Sequence, residues 1–204
     1  WIGPGGYPDG VGHVADFTRV DLTAARRYVR LEDGDNWITF GTLMIADNDR
    51  PYTFSNRTAH TTWVFADSDG LAEIVVSNAY TGVDRPHRID GILALSNDLR
   101  VTTLQAPSSA ALWFWGAVTS NVAGVNVTKD GRGTLMVLTS AQWSGETRIL
   151  NGRFWLATNG VLTSTTAVEL RPGASLIVDN NINLNDRVPD TAVVRSYGGA
   201  LSFV

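Results

Sequence analysis

The chain has 204 residues, 44% of them hydrophobic and 18% charged, which is apolar enough for a packed core and too lean in charge for a disordered chain. A formal net charge of -4, with arginines interleaved among acids, argues against nucleic acid as a partner, since phosphate contacts need a basic stripe. The absence of cysteine excludes disulfides and thiolate metal sites.

The chain opens at Trp1-Ile2-Gly3-Pro4 without an initiator Met or an apolar leader, which predicts a processed chain or a piece of a longer one. Residues 1–20 read as a Gly/Pro-rich lead-in or cap, and 21–204 as one continuous body with no linker composition inside it. No apolar run is long enough to span a membrane. Helix formers are scarce, Lys129 being the sole lysine, while Thr, Val, Ser and Asn crowd the runs. Period-two alternation and turn residues predict strands over Tyr28 to Leu31, Trp37 to Ile45, Tyr52 to Phe54 and Thr61 to Phe65. The series continues with Ala72 to Val76, Ile92 to Leu95, Leu99 to Leu104 and Ala111 to Phe114.

From Val125 onward the pattern repeats. A short run (Val125 to Thr128, Thr147 to Leu150, Ala167 to Leu170) precedes a glycine turn, and a branched or aromatic run follows it. The glycines at 131, 152 and 173 are 21 residues apart, and Gly198 follows 25 later. A strand-turn-strand unit recurring at that period is the mark of a solenoid. The expectation is an all-β parallel β-helix (β-solenoid) of roughly eight or nine coils, on the order of 40 Å long at the strand spacing of a sheet. Leu135, Val137, Ile149, Leu156 and Leu176 are expected to face inward, and Arg132, Arg148, Arg153, Glu169 and Arg171 outward. Asn151, Asn159, Asn180, Asn181 and Asn183 are expected to stack amides from coil to coil. A β-sandwich also has short strands, but gives no reason for evenly spaced, near-identical glycine turns.

The stretch from Asn126 to Leu156 resembles the autotransporter-associated β-strand repeat of bacterial surface proteins. The likeness lies in Lys129, Gly131, Gly133, Thr134, Leu135, Ser144, Gly145, Thr147, Ile149, Gly152 and Leu156, with Trp143 in the aromatic slot. Ala167 to Leu176 is similar to the unit that follows such a repeat, and Pro8 to Phe17 to its lead-in. The resemblance implies a right-handed, passenger-like β-helix on the bacterial exterior, with no catalytic residues.

Candidate sites are weighed on chemistry. His13, His60 and His87 are isolated and lack metal-ligand spacing. Asp67-Ser68-Asp69-Gly70 with Glu73, and Asp47-Asn48-Asp49, are fragments of a calcium loop that neither completes. No nucleophile elbow, P-loop or dinucleotide fingerprint is present, so no catalytic, cofactor or metal residue is expected. Trp113 and Trp115 share one face of their strand, with Phe114 on the other, and form a candidate platform for sugar rings. A solenoid needs terminal caps, and Leu201 and Phe203 lie in an ordinary coil. Together with Trp1, Ile2 and Tyr7 they are the expected assembly contact, either with another copy or with flanking repeats of a longer chain. The expected function is a non-enzymatic structural module of a bacterial surface or extracellular assembly, stacking end to end as a rod or filament. An adhesin binding surface glycans is the alternative, and a polysaccharide-active β-helix enzyme the third.

Overall fold

A pleated strand with one face on a core alternates residue by residue, and the strands of this chain do so. In Thr42–Ala46 and Asp98–Thr103 every second residue is buried and those between are half-exposed. The computed structural model describes residues 8–19, 27–31, 37–47, 50–56, 62–78, 86–104, 112–182 and 184–204. It is an all-β parallel solenoid with no helix among the described residues. Three sheets run along it, two of eight strands and one of six, and each strand pairs in parallel with its copy one turn away.

Each turn passes through the three sheets in order, for example Val127–Asp130, Thr134–Val137 and Ser140–Gln142. Six complete turns result, followed by two that lack a third-sheet strand. Eight or nine coils was therefore an overestimate, for two physical reasons. The short third strand of each turn, such as Val118–Ser120 or Val161–Leu162, carries almost no alternation to read. The 21-residue period is also local: Thr128 pairs with Arg148, 20 residues on, but Thr42 pairs with Glu73, 31 residues on. The single strand expected over Trp37 to Ile45 divides into Trp37–Phe40 and Thr42–Ala46 at Gly41, a corner between sheets. Val14–Phe17 is already the first strand of the first sheet, ahead of Thr42–Ala46.

The core is a set of columns parallel to the axis. One runs Val29, Phe54, Ile89, Phe114, Val137, Leu156, Val178 and Phe203, each residue in register with the next. Its interior members are almost fully buried, which stabilises each by about 1.5–3 kcal/mol relative to exposure. Leu135, Val137, Ile149, Leu156 and Leu176 all face inward as expected. Arg132, Arg153 and Arg171 are exposed, and Arg148 and Glu169 half-exposed.

The glycine repeat follows from coil spacing. Gly131 and Gly152 have φ of 75° and 70°, in the left-handed region. A Cβ on Gly152 would lie 2.4 Å from Gly131 O, and one on Gly131 would lie 2.3 Å from Thr103 O. A side chain at either position would collide with the backbone of the turn below. The expected asparagine stack does not form at Asn151, whose Oδ1 accepts the N–H of Gly152 in its own turn. The coil-to-coil ladder runs instead through Asp98, Asn126 and Glu146. Asp98 accepts from both N and Nδ2 of Asn126, and Asn126 Oδ1 accepts from Glu146 N. Asn183 lies outside the described residues.

Candidate functional site

The last strands of the two large sheets are Val193–Ser196 and Ala200–Phe203, each the outermost of its sheet. Their inward-column residues have neighbours on one side only. Leu201 stacks on Leu176 and Phe203 on Val178, yet Leu201 is 44% and Phe203 66% exposed. Val194, stacked on Val168, is 45% exposed. These are core positions left partly exposed, in strands that are the outermost of their sheets.

The third sheet ends differently. Arg187 lies against its last strand, Val161–Leu162. Leu162 N donates to Arg187 O at 2.8 Å, so Arg187 takes the position of a further strand residue. Its side chain is 3% exposed and turns back into the turn below, where Nη1 and Nη2 donate to the carbonyls of Gly160 and Thr158, both at 2.8 Å. Burial pulls the guanidinium pKa down and Asp179 pushes back, and the group stays cationic. Between the residues around Arg187 and the terminal strands lies a cavity of about 580 Å³, walled by Leu176, Val178, Leu184, Val188, Leu201 and Phe203, with Asn180, Asp186 and Asp190 at its polar side.

At the opposite end, Val14–Phe17 and Arg27–Leu31 are outermost in the same two sheets. The third sheet is again covered at its first strand, Trp37–Phe40. Gly10 N donates to Thr39 O at 2.7 Å and Thr39 N to Asp9 Oδ1 at 2.9 Å. Among the described residues, then, the third sheet is covered at both ends, but the ends of the two large sheets differ: Ala15, in the outermost strand here, is fully buried and Phe17 and Val29 are half-buried, whereas Leu201 and Phe203 are exposed. Trp1, Ile2 and Tyr7 lie outside the described residues.

The tryptophan face is on the outside of the second sheet. Trp113 and Trp115 project outward from Leu112–Phe114 and the residue beyond it, while Phe114 is fully buried. Their rings lie 6.0 Å apart and 23° from parallel, with Trp115 46% exposed. The Arg88 guanidinium sits 4.4 Å from the Trp115 ring centre and is held there by both oxygens of Asp90, at 2.6 and 2.7 Å. Trp113 continues a row through Met136, Trp155 and Ile177. The other tryptophans divide: Trp63 and Trp143 are core residues, and Trp37 is 61% exposed.

Three comparisons bear on kinship: with protein-family models, with curated proteins and with solved structures. None gives a match.

The remaining sequence candidates resolve structurally. His87 is fully buried, accepts Tyr52 N–H at Nδ1 (3.1 Å) and stacks on the Tyr52 ring. His13 is exposed, and His60, Asn48 and Asp49 lie outside the described residues. Asp67 Oδ1 accepts Asp69 N–H and Asp47 Oδ1 accepts Arg50 N–H, both turn contacts. Among the described residues no group of three or more His, Asp or Glu could hold a metal. Nor is any helix there long and apolar enough to cross a membrane.

Sequence reasoning missed Lys129. The ammonium is fully buried and donates to three carbonyls, Asp130 O at 2.6 Å, Gly131 O at 2.7 Å and Asn151 O at 3.2 Å. Desolvation pushes its pKa down to about 7, with Asp130 opposing. The signal was present in the sequence: a sole lysine at an inward-facing position of an alternating strand.

Proposed function

We propose that this chain is a non-enzymatic structural module that extends by coil-on-coil contact, one copy stacking head to tail on the next. The observation that carries this is the terminal coil. Its two outermost strands carry Val194, Leu201 and Phe203, which occupy core columns and remain exposed. The opposite end presents outermost strands of the same two sheets, so a further coil arriving in parallel, from a second copy or from flanking repeats of a longer chain, continues both ladders. Contact between two different ends is heterologous and does not close on itself, which gives a rod. The resemblance of Asn126 to Leu156 to the autotransporter-associated repeat supports a right-handed wind and a place on the bacterial exterior.

Sedimentation and electron microscopy of the purified chain near neutral pH test this. Concentration-dependent rods are expected, with an axial repeat on the order of 40 Å for eight stacked strands. Leu201→Asp with Phe203→Asp should abolish them while changing monomer stability by less than about 1 kcal/mol, since both side chains are exposed. A chain that stays monomeric at high concentration, with both end coils protected from hydrogen exchange, would overturn the reading.

A second reading rests on Trp113 and Trp115. Near-parallel rings beside a pinned Arg88, with Trp155 two turns along the same row, suit a glycan laid along the axis. Glycan-array binding that Trp113→Ala and Trp115→Ala each remove supports it. An array with no signal, or a signal that survives both variants, counts against it.

A further inference from the structure

Two of the three acceptors of Lys129, Asp130 O and Asn151 O, belong to peptides whose glycine nitrogen lies against the preceding side-chain oxygen, and of the two only Asn151 carries an amide that can leave as ammonia. Asn151 O belongs to the peptide group whose nitrogen is Gly152 N, and Lys129 Nζ donates to that oxygen at 3.2 Å. On the other side of the same peptide, the Gly152 N–H points at the Asn151 side chain, 2.8 Å from Oδ1. Asn151 is exposed to solvent, whereas Gly152 is buried against the Gly131 and Gly133 carbonyls. One peptide nitrogen is thus held against a side-chain amide while a buried ammonium is hydrogen-bonded to its carbonyl oxygen.

We propose that Asn151-Gly152 is a self-modification site, at which Lys129 promotes cyclisation of Asn151 to a succinimide and hence its deamidation. A solvent base removes the Gly152 N–H proton, and the resulting negative charge spreads onto Asn151 O, where the Lys129 hydrogen bond stabilises it. The nitrogen lone pair forms a bond to Asn151 Cγ. The Cγ–Nδ2 bond breaks, and Nδ2 takes a proton from water and leaves as ammonia. Water then opens the ring at either carbonyl, giving aspartate or isoaspartate at position 151, with no oxidation or reduction. The folded corner keeps the Gly152 nitrogen beside the Asn151 side chain, so attack needs a local rotation and not a search by an open chain.

The chain carries its own control. Asn159-Gly160 is the same dipeptide, also with an exposed asparagine, in the next turn corner. There the Gly160 N–H is bound to Ala157 O at 2.8 Å, a bond that cyclisation would break. Arg187 donates to Thr158 O and Gly160 O, the carbonyls flanking that of Asn159. Isoaspartate at 151 would also lengthen the main chain where Gly152 has no room to move, loosening the corner between Glu146–Ile149 and Gly152–Leu156.

The experiment is incubation of the folded chain at about pH 7, with peptide mapping by mass spectrometry and isoaspartate detection, beside the same chain unfolded in urea. In the folded chain position 151 is expected to convert at least about tenfold faster than 159, and faster than it does in urea. In urea the two dipeptides should convert at similar rates. Lys129→Met should slow position 151 several-fold and leave 159 unchanged, whereas a general loosening of the fold would speed both. If that variant does not fold, the folded and urea-unfolded wild-type rates decide alone. Equal rates at 151 and 159 in the folded chain, a folded rate at 151 below the urea rate, or a folded Lys129→Met chain with position 151 unslowed would each overturn the proposal.

Discussion

Replacing Lys129 by Met removes one titrating group from the interior and leaves a side chain of similar length. In the folded chain desolvation holds the Lys129 pKa at about 7, while an unfolded lysine titrates near 10.4. Below pH 7 both states carry the proton, and folding bears the whole cost of burying the charge. Between the two values the unfolded chain holds a proton that the native chain has released. Unfolding therefore takes up a proton, and stability rises with pH at up to about 1.4 kcal/mol per unit. The three carbonyl acceptors favour the ammonium, which limits how far its pKa falls and so narrows the pH window without reversing the sign. Urea unfolding of wild type and Lys129→Met at a series of pH values from neutral to mildly alkaline isolates the effect, because the other titrations cancel in the difference. The expected result is a stability difference, wild type minus variant, that grows by about 1 kcal/mol per pH unit. A difference that stays flat or falls as pH rises would refute the reasoning and show the ammonium fully compensated by its carbonyls.

Phe114→Ala should cost about 3–5 kcal/mol in urea unfolding, because Phe114 is fully buried between Ile89 and Val137 and rigid coils collapse poorly into a cavity; a loss under about 1 kcal/mol would mean that the column is loosely packed. Arg187→Met should strip Gly160 O and Thr158 O of their donors and raise hydrogen exchange across residues 158–192, with little change in the coils before Val137. Uniform change along the chain would show that the third-sheet cover is not a separate unit. Gly152→Ala should be strongly destabilising, on the order of 2 kcal/mol or more, through its left-handed φ and the approach to Gly131 O. The matching Gly173→Ala, with no atom nearer than Asn151 Oδ1 at 3.7 Å, should cost only the left-handed strain, and thermal unfolding of the pair separates the two causes.

The sequence by itself determined the solenoid in the region where coils are near-identical. Between Val125 and Val178 the alternation of apolar residues and the glycine period both follow from local constraints: a pleat that alternates faces, and a corner too crowded for a Cβ. Those constraints act within a few residues, so they are written locally. The face shared by Trp113 and Trp115 opposite Phe114 was legible for the same reason.

What only the tertiary structure decided depends on atoms far apart in the chain. The third sheet is built from strands as short as Val161–Leu162, which exist because neighbouring turns supply their partners. Trp143 is core and Trp115 surface, although each lies just beyond a three-residue strand. The Lys129 ammonium is tolerated inside because a carbonyl from the following turn, Asn151 O, joins two from its own corner. The exposed ends of the core columns at Leu201 and Phe203 likewise emerge only when the turns are stacked: local sequence makes these residues apolar, and the stack decides whether anything lies beyond them.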